Sequence, residues 1–316
     1  MDYRKLGRAG VKVSPLCLGC MNFGGPAAED ESVRIIHAAL DAGINFLDTA
    51  NVYNKGASET IVGKALKGVR DHVVIATKVH GKMGEGPNDS GNSRLHIMRQ
   101  VEASLKRLKT DRIDLYQLHR PDPATPMDEQ LTALSDLVRQ GKVLYVGTST
   151  FPAWELCEAL WTSDRRNLER IVCEQPPYSI LVRGIEKDVL PFCRRYELAV
   201  IPWSPLAGGW LTGKYRKGRP PPPDSRGALR GWDLNSAEGL ARLEVVERLL
   251  PLAATYGVKL CQFALAWLLA NPVVTSPIIG PRTVEQLHDN LAALDVRLTE
   301  DALAEVDEIV LPGTNM

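Results

Sequence analysis

The sequence has no excess of either charge and no long apolar run. Its 38 Lys and Arg residues equal its 38 Asp and Glu residues, so the formal net charge is zero. A surface that binds nucleic acid normally shows as a basic excess, so we expect no nucleic-acid partner. The N-terminus lacks the apolar stretch of a secretory signal, and the apolar residues 261–270 end at Asn271-Pro272, short of a membrane span. These absences predict a soluble cytoplasmic protein without a membrane partner.

Three sequence signatures are also missing: a disulfide framework, a redox or zinc C-x-x-C motif and a dinucleotide-binding glycine motif. The six cysteines are spread along the chain, unlike a disulfide framework. The C-x-x-C pair of Cys17 and Cys20 lacks both the helix start of a redox motif and the second pair of a zinc site. We interpret both as small buried residues of a strand and expect no metal. No G-x-G-x-x-G follows any predicted strand, which argues against a Rossmann dinucleotide-binding unit.

Short apolar runs that alternate with helical patterns fill most of the chain. Division of its 316 residues by about 150 suggests two domains, but α/β barrels of roughly 250 residues form one. Eight runs are typical of strands, at residues 16–18, 44–47, 73–76, 115–118, 143–146, 171–173, 199–201 and 274–278. Eight strand–helix units predict an α/β fold, a single (β/α)₈ TIM barrel that occupies residues 1–316 as one domain.

Helix signals and three further segments complete the prediction. Ser93, Thr125 with Pro126, and Thr283 with Gln286 mark helix starts, the last pair as a capping box. Residues 3–13 predict an N-terminal hairpin at the bottom of the barrel. Residues 203–235 form a Trp- and Pro-rich loop after the seventh strand, and residues 298–311 an extra C-terminal helix.

Part of the long loop, residues 208–215, is one residue short of a P-loop. Tyr215 replaces the Ser or Thr that would bind Mg²⁺, and the residues up to Pro220 cannot propagate the helix that such a loop requires. We therefore do not expect nucleotide hydrolysis at this segment.

Polar residues follow several predicted strands, whose carboxyl ends meet at one face of a barrel. They are Asp48, Lys78, His119, Ser149, Gln175, Trp203, Ser204 and Gly280, with Tyr53 just beyond Asp48. Ionisable groups near a barrel axis are costly to bury unless they pair. We expect the ammonium of Lys78 to lower the pKa of Tyr53, Asp48 to keep Lys78 charged, and neutral His119 to orient a substrate oxygen. This arrangement would protonate an oxygen whose carbon receives another group.

Motifs along nearly the whole chain resemble those of the aldo-keto reductases, including the subgroup related to potassium-channel β subunits and bacterial sugar or aldehyde reductases. The matching segments are D-A-G-I-N-F-L-D-T-A at 41–50 with Tyr53 and Gly56, A-T-K at 76–78, D-L-Y-Q-L-H at 114–119, Q-P-P-Y at 175–178, P-W-S-P-L-A-G-G at 202–209, L-T-G-K-Y at 211–215, and residues 280–290.

The resemblance implies a carbonyl reductase that binds NADP(H) across the barrel mouth, with Asp48, Tyr53, Lys78 and His119 as the catalytic tetrad and Tyr53 as proton donor. It implies cofactor contacts from Gly19, Ser149, Gln175, Trp203, Ser204, Leu206, Gly208, Lys214, Gly280, Arg282, Gln286, Asp289 and Asn290. Tyr53 and His119 would also contact the small carbonyl or alcohol substrate, and Phe23, Tyr178, Trp210 and Trp232 are candidate pocket walls. Gln286, Asn290 and Lys214 each have a structural alternative, as a capping residue, a helix-surface polar group and a solvated loop charge.

The chain departs from the family pattern at one position and leaves two other functions open. Thr150 stands where many members have Asn, which affects a contact to the nicotinamide. Arg282 is suited to a 2′-phosphate, which favours NADPH over NADH. One alternative is a regulatory subunit that retains the cofactor with slow turnover. The other is an isomerase or aldolase with Lys78 as a Schiff-base amine, which the neighbouring Asp48 disfavours. Substrate and oligomeric state are left open.

Overall fold

Eight parallel strands form a closed barrel in the computed structural model, which describes residues 1–316. In chain order after an N-terminal hairpin of β1 (Arg4–Lys5) and β2 (Lys12–Val13), they are β3 (Cys17–Gly19), β4 (Phe46–Asp48), β5 (Val74–Val79), β6 (Ile113–Leu118), β7 (Val143–Ser149), β8 (Cys173–Gln175), β9 (Ala199–Val200) and β10 (Ile278–Ile279). The sheet runs from β10 through β3 to β9. Two hydrogen bonds close it, from the Thr275 N–H to the Val200 oxygen (2.7 Å) and from the Ile278 N–H to the Pro202 oxygen (2.8 Å). The predicted (β/α)₈ barrel is confirmed.

Eleven helices accompany the strands. They are α1 (Glu29–Asp41), α2 (Ala57–Ala65), α3 (Arg94–Leu108), α4 (Met127–Arg139), α5 (Ala153–Arg166), α6 (Val189–Tyr196), α7 (Arg226–Leu229), α8 (Ala237–Thr255), α9 (Leu260–Ala270), α10 (Val284–Leu291) and α11 (Glu300–Ile309). No single helix is long and apolar enough to cross a membrane, although α8 and α9, which meet at 84°, reach that length and composition together.

All eight predicted strands exist, with shifted ends. Strands β5 and β7 continue three residues beyond their apolar runs, to Val79 and Ser149, so Lys78 and Ser149 lie inside the sheet. The last predicted strand, residues 274–278, is reduced to β10, because Val274 makes only an isolated bridge to Val200 and Pro277 has no N–H to donate. The polar ends belong to the strands because ladder hydrogen bonds form regardless of side-chain polarity.

The N-terminal hairpin closes the bottom of the barrel, as predicted. Leu6 and Val13 are fully buried in an apolar cluster with Phe46, Val74 and other strand residues. Gly7 has a left-handed backbone (φ 60°), and a Cβ there would lie 2.6 Å from the Glu197 oxygen. The hairpin turn therefore packs directly on the start of β9, which leaves the opposite end of the barrel as its mouth.

Two of the predicted helix caps are present. Ser93 accepts from the His96 N–H and Thr283 from the Gln286 N–H, at 3.3 and 3.2 Å. Pro126, not Thr125, occupies the N-cap of α4, because the Thr125 hydroxyl donates to Asp122 instead. The capping box at Thr283 is incomplete, since the Gln286 side chain accepts from the Arg282 N–H.

The long loop after β9 has its own aromatic core. The rings of Trp210 and Trp232 stack at a centroid distance of 5.4 Å, and Tyr215 packs at 5.2 Å from Trp210 and 5.8 Å from Trp232. A 3₁₀ turn (Ala207–Thr212) precedes Lys214, and the next helix is the short α7. No helix begins directly after the segment that resembles a P-loop, as predicted.

Candidate active site

The mouth of the barrel brings together the four residues that the sequence singled out. Asp48 ends β4, Lys78 lies in β5, and His119 directly follows β6. Gly19, Asp48 and Ala76 lie side by side across three strands, and Lys78 is paired with Gln117 of β6. Tyr53 begins the 3₁₀ turn that follows β4. The side chains of the four residues therefore converge on one point.

Lys78 is the hub of this group. Its Nζ donates to Asp48 Oδ2 at 2.5 Å, to the Thr49 oxygen at 2.8 Å and to the Tyr53 hydroxyl at 3.2 Å. These contacts use all three hydrogens of the ammonium. Because the Tyr53 oxygen accepts from Lys78, the phenol hydrogen is left for another acceptor.

Two glutamines hold the other oxygen of Asp48. Gln175 Nε2 donates to Asp48 Oδ1 at 2.9 Å and Gln117 Nε2 at 3.3 Å, and the two amides also bond at 3.2 Å. Gln117 was missed by the sequence reasoning, which considered only residues beyond the strand ends. Its register opposite Lys78 was the available signal. Gln175, which the resemblance assigns to the cofactor, supports Asp48 in this structure.

Burial and neighbouring charges together set the protonation states of Tyr53 and Lys78. Burial raises the pKa of Tyr53 above its usual value of 10.0, against the opposing effect of Lys78. The expected net lowering of this pKa is therefore wrong, since desolvation of a phenolate outweighs the ammonium. Burial lowers the pKa of Lys78, but Asp48 and Tyr53 reverse this and leave it raised. Lys78 is thus an ammonium, which disfavours the Schiff-base alternative.

His119 faces Tyr53 as a neutral imidazole. The two rings are 5.6 Å apart and nearly perpendicular, at 81°. Burial, followed by the charges of Lys78 and Arg120, lowers the pKa of His119 from 6.5 to about 2. The imidazole can therefore donate one hydrogen bond toward the space beside the Tyr53 hydroxyl.

The turn that carries Tyr53 has an unusual backbone. Asn54 (φ 48°) and Lys55 (φ 56°) are left-handed, and so is Gly56 (φ 90°). This conformation is unfavourable for residues with a Cβ, and the Asn54 side chain compensates by donating to the Met21 and Phe23 oxygens at 3.0 and 2.7 Å. The turn is therefore fixed to the loop that follows β3.

Three cations near the mouth have no carboxylate partner: Lys214 and Arg226 follow β9, and Arg282 follows β10. Lys214, Arg226 and Arg282 lie close enough that loss of water, then Arg282 and Arg226, lower the pKa of Lys214. The Arg282 guanidinium donates only to the Asp224 oxygen, at 2.8 Å. Arg226 was missed by the sequence reasoning, although Ser225 before it is a recognisable helix cap. A cluster of cations without carboxylate partners indicates a binding site for an anion.

The remaining candidate cofactor residues lie at the same mouth. Trp203, Ser204, Leu206 and Gly208 are partly exposed along the start of the loop, and Ser204 is left-handed (φ 56°). Ser149 Oγ donates to the Gln175 oxygen at 2.9 Å. Gly19 allows close strand packing, because a Cβ there would lie 2.5 Å from Ile278 Cγ2.

The residues expected at the adenosine end have partners of their own. Gly280 is exposed, and its oxygen accepts from Asn22 Nδ2 at 3.0 Å. Gln286 accepts from the Arg282 N–H, and Asp289 forms an ion pair with Lys259 at 2.7 Å. Asn290 is buried in α10. The structural alternative for Gln286 is thus partly correct, since its side chain orders the start of this helix.

Three of the expected pocket walls do not face the mouth. Phe23, Tyr178 and Trp210 are 0%, 1% and 3% exposed. Tyr178 donates to Glu186 Oε1 at 2.6 Å and packs 5.2 Å from the Trp267 ring of α9, outside the barrel. Trp210 is stacked inside the long loop. Of the four aromatic residues, only Trp232 retains exposed surface. The prediction was wrong for the other three because an aromatic side chain does not reveal whether its loop folds back on itself.

Comparison with known proteins identifies the family of this chain. The family model described as the aldo/keto reductase family matches residues 15–311. The chain belongs to the aldo/keto reductase family. It is 46% identical over 324 aligned positions to a Bacillus subtilis (strain 168) protein named uncharacterized oxidoreductase YrpG, with 99% of this chain and 97% of the relative covered.

Plant relatives carry a different name. Proteins named probable voltage-gated potassium channel subunit beta from Oryza sativa subsp. japonica and Arabidopsis thaliana are each 39% identical over 319 aligned positions, with 98% of this chain and 97% of each relative covered. This aldo/keto reductase is thus an oxidoreductase by family, with relatives named both as an enzyme and as channel subunits.

Proposed function

We propose that this protein is an NADPH-dependent carbonyl reductase that acts on a small aldehyde or ketone, reversibly, with Tyr53 as proton donor. The observation that carries the proposal is the Lys78 hub: one buried ammonium touches both Asp48 and the Tyr53 hydroxyl. Tyr53 is a protonated phenol with the Lys78 ammonium beside it and the neutral His119 imidazole opposite. Together these three groups can deliver a proton to one oxygen.

The residues at the mouth suit a nicotinamide dinucleotide. Lys214, Arg226 and Arg282 would hold its phosphates, with the planar fork of Arg282 suited to a 2′-phosphate. Trp203 is partly exposed, and its ring nitrogen is buried without a hydrogen-bond partner, so it offers both a flat surface and an unused donor. A bound nicotinamide would supply the hydride.

The chain's own residues would handle the proton. His119 would donate a hydrogen bond to the carbonyl oxygen and hold it beside Tyr53. Tyr53 would transfer its proton to that oxygen, and Lys78 would stabilise the resulting phenolate through the hydrogen bond that it already makes. Asp48, held by Gln117 and Gln175, would keep Lys78 charged throughout.

Substitution Tyr53→Phe tests the proposal. We expect kcat for aldehyde reduction to fall by about 10²–10⁴-fold, because a general acid contributes about that much, while NADPH still binds. NADPH and NADH consumption followed by absorbance, and cofactor binding followed by fluorescence, would measure this. A variant that reduces aldehydes at a near wild-type rate would show that Tyr53 is not the acid.

The second candidate is a regulatory subunit that retains the cofactor, which the names of the plant relatives favour. It requires a larger partner and slow turnover. Single-turnover and steady-state rates of the wild-type protein with a panel of aldehydes distinguish the two, since a regulatory subunit would bind NADPH tightly and turn over far below about 1 s⁻¹, the low end for enzymes.

A further inference from the structure

Arg120 lies beside the proposed reaction centre and has no role in the tetrad. It directly follows His119 at the end of β6, and its side chain is exposed at the barrel mouth. Its Nη1 donates to the Thr150 hydroxyl at 2.7 Å and to the His119 oxygen at 3.0 Å. Its Cζ lies 5.6 Å from the centroid of the Trp203 ring. The guanidinium is therefore held between the end of β7 and Trp203.

Its charge acts on the reacting groups. Burial lowers the pKa of His119, and Lys78 and then Arg120 lower it further. Burial raises the pKa of Tyr53, whereas Lys78 and, more weakly, Arg120 lower it. Arg120 is thus near both side chains between which a carbonyl oxygen would bind.

Most hydrogen-bond donors of the Arg120 guanidinium have no acceptor in the protein. A guanidinium has five N–H donors, and only Nη1 donates to the protein, so Nε and Nη2 retain three. No carboxylate pairs with Arg120. Three carboxylates of neighbouring segments bond to other groups. Asp48 binds Lys78, Asp122 accepts from the Asn92 N–H and Thr125, and Glu174 accepts from Thr148 and the Phe151 N–H.

We infer that Arg120 binds an anionic group of the substrate, so that the enzyme selects carbonyl compounds that carry a carboxylate or a phosphate. The Nε and Nη2 donors form the fork that binds two oxygens of such a group. Thr150 holds the guanidinium in place by accepting from Nη1 at 2.7 Å. The inference rests on the proposed carbonyl reduction and adds a substrate class to it.

The test compares aldehydes that differ only in an anionic group. One pair is 4-oxobutanoate with butanal, and the other is glycolaldehyde phosphate with glycolaldehyde. For the wild-type protein we expect kcat/KM to be higher for the anionic member of at least one pair, and the ratio to fall as salt is added, because the contact is exposed. The pair that shows the larger ratio distinguishes a carboxylate from a phosphate ligand.

Variants assign this ratio to Arg120. Arg120→Met should lower the ratio by up to about fivefold, as expected for an exposed ion pair, and Arg120→Lys should retain part of the ratio, since a lysine keeps the charge without the fork. Arg139→Met, a surface substitution on α4, serves as the matched control and should leave the ratio unchanged. Retention of the ratio by Arg120→Lys is a result that a merely structural role would not produce.

The outcomes separate this inference from the proposed function. If the wild-type protein reduces butanal and glycolaldehyde with NADPH but shows no preference for either anion, the inference is wrong and the carbonyl reductase stands. If Arg120→Met lowers kcat/KM equally for charged and neutral aldehydes, Arg120 serves the cofactor or the fold, and the inference is also wrong. If no aldehyde is reduced, the proposed function itself fails.

Discussion

Two buried ion pairs lie on opposite faces of β5, and only one of them touches a reactive group. Lys78 points into the barrel and binds Asp48 at 2.5 Å. Its neighbour Thr77 points outward and donates to Glu59, which binds Arg107 of α3 at 2.6 Å. The first pair contacts the Tyr53 hydroxyl, whereas the second joins α2, α3 and β5. Burial of charge alone therefore does not identify a catalytic site in this fold; the neighbours of the charge do.

The exposed fractions of the two pairs support this distinction. Lys78 and Asp48 are 0% and 3% exposed, whereas Arg107 is 21% exposed and can reach water if its partner is removed. Loss of Lys78 or Asp48 should therefore affect the reaction, whereas loss of Glu59 or Arg107 should mainly lower the free energy of unfolding.

Substitution Lys78→Met should have the largest effect. It removes the hydrogen bond that would stabilise a Tyr53 phenolate and leaves Asp48 without its cation, so we expect kcat to fall by about 10³-fold or more. Steady-state NADPH oxidation measures the loss. Circular dichroism and cofactor binding serve as controls for folding. Activity within tenfold of wild type would contradict the role given to Lys78.

Substitution Glu59→Ala should act on stability instead. We expect the free energy of unfolding to fall by about 3 kcal/mol, because Arg107 and Thr77 lose a buried partner. The double variant Glu59→Leu with Arg107→Met, which removes both charges, should be destabilised less. Urea unfolding measures both, and kcat per folded molecule should be retained. A loss of kcat without a loss of stability would mean that this pair positions Tyr53.

Glu174 extends the comparison, because it is a buried carboxyl that forms no ion pair. Burial raises its pKa from 4.5 to about 8, although Thr148 donates to it at 2.5 Å and the Phe151 N–H at 3.0 Å. The folded protein therefore holds a proton that the unfolded chain releases above pH 4.5. The stability that this group contributes therefore falls as the pH rises from about 4.5 to about 8.

The variant Glu174→Gln should remove this pH dependence and keep both contacts, since an amide can accept from Phe151 and donate to Thr148. We expect urea midpoints of the wild-type protein to decline more steeply with pH than those of the variant between pH 5 and about 8. Parallel pH profiles would show that Glu174 is ionised at neutral pH.

Much of the fold was predictable because strands and helices leave local signals. The eight apolar runs all became strands, and Ser93 and Thr283 cap the helices that they were expected to cap. Strand ends were less predictable. Lys78 and Ser149 are polar yet lie inside β5 and β7, because the ladder of backbone hydrogen bonds continues past the apolar residues.

The candidate site was predictable for those residues that are both ionisable and close to a strand end. Asp48, Tyr53, Lys78 and His119 are ionisable residues near strand ends, so barrel topology brings them together. Gln117, Arg120 and Arg226 were missed. Gln117 lies within β6, where only its register opposite Lys78 indicated it, and the two arginines stand just after β6 and at the start of α7, where no residue pattern marks a site. Phe23, Tyr178 and Trp210 were misplaced, because aromatic character does not reveal which way a loop folds.

The sequence by itself determined the barrel, the family and the identity of the four residues at its mouth, since each depends on local periodicity or on residue types at strand ends. Tertiary structure alone decided the protonation of Tyr53 and the unused donors of Arg120. Both depend on burial and on partners distant in the chain, and a pKa responds to desolvation as strongly as to a neighbouring charge. The expected lowering of the Tyr53 pKa was wrong for this reason: Lys78 was visible in the sequence, but the loss of water around the phenol was not.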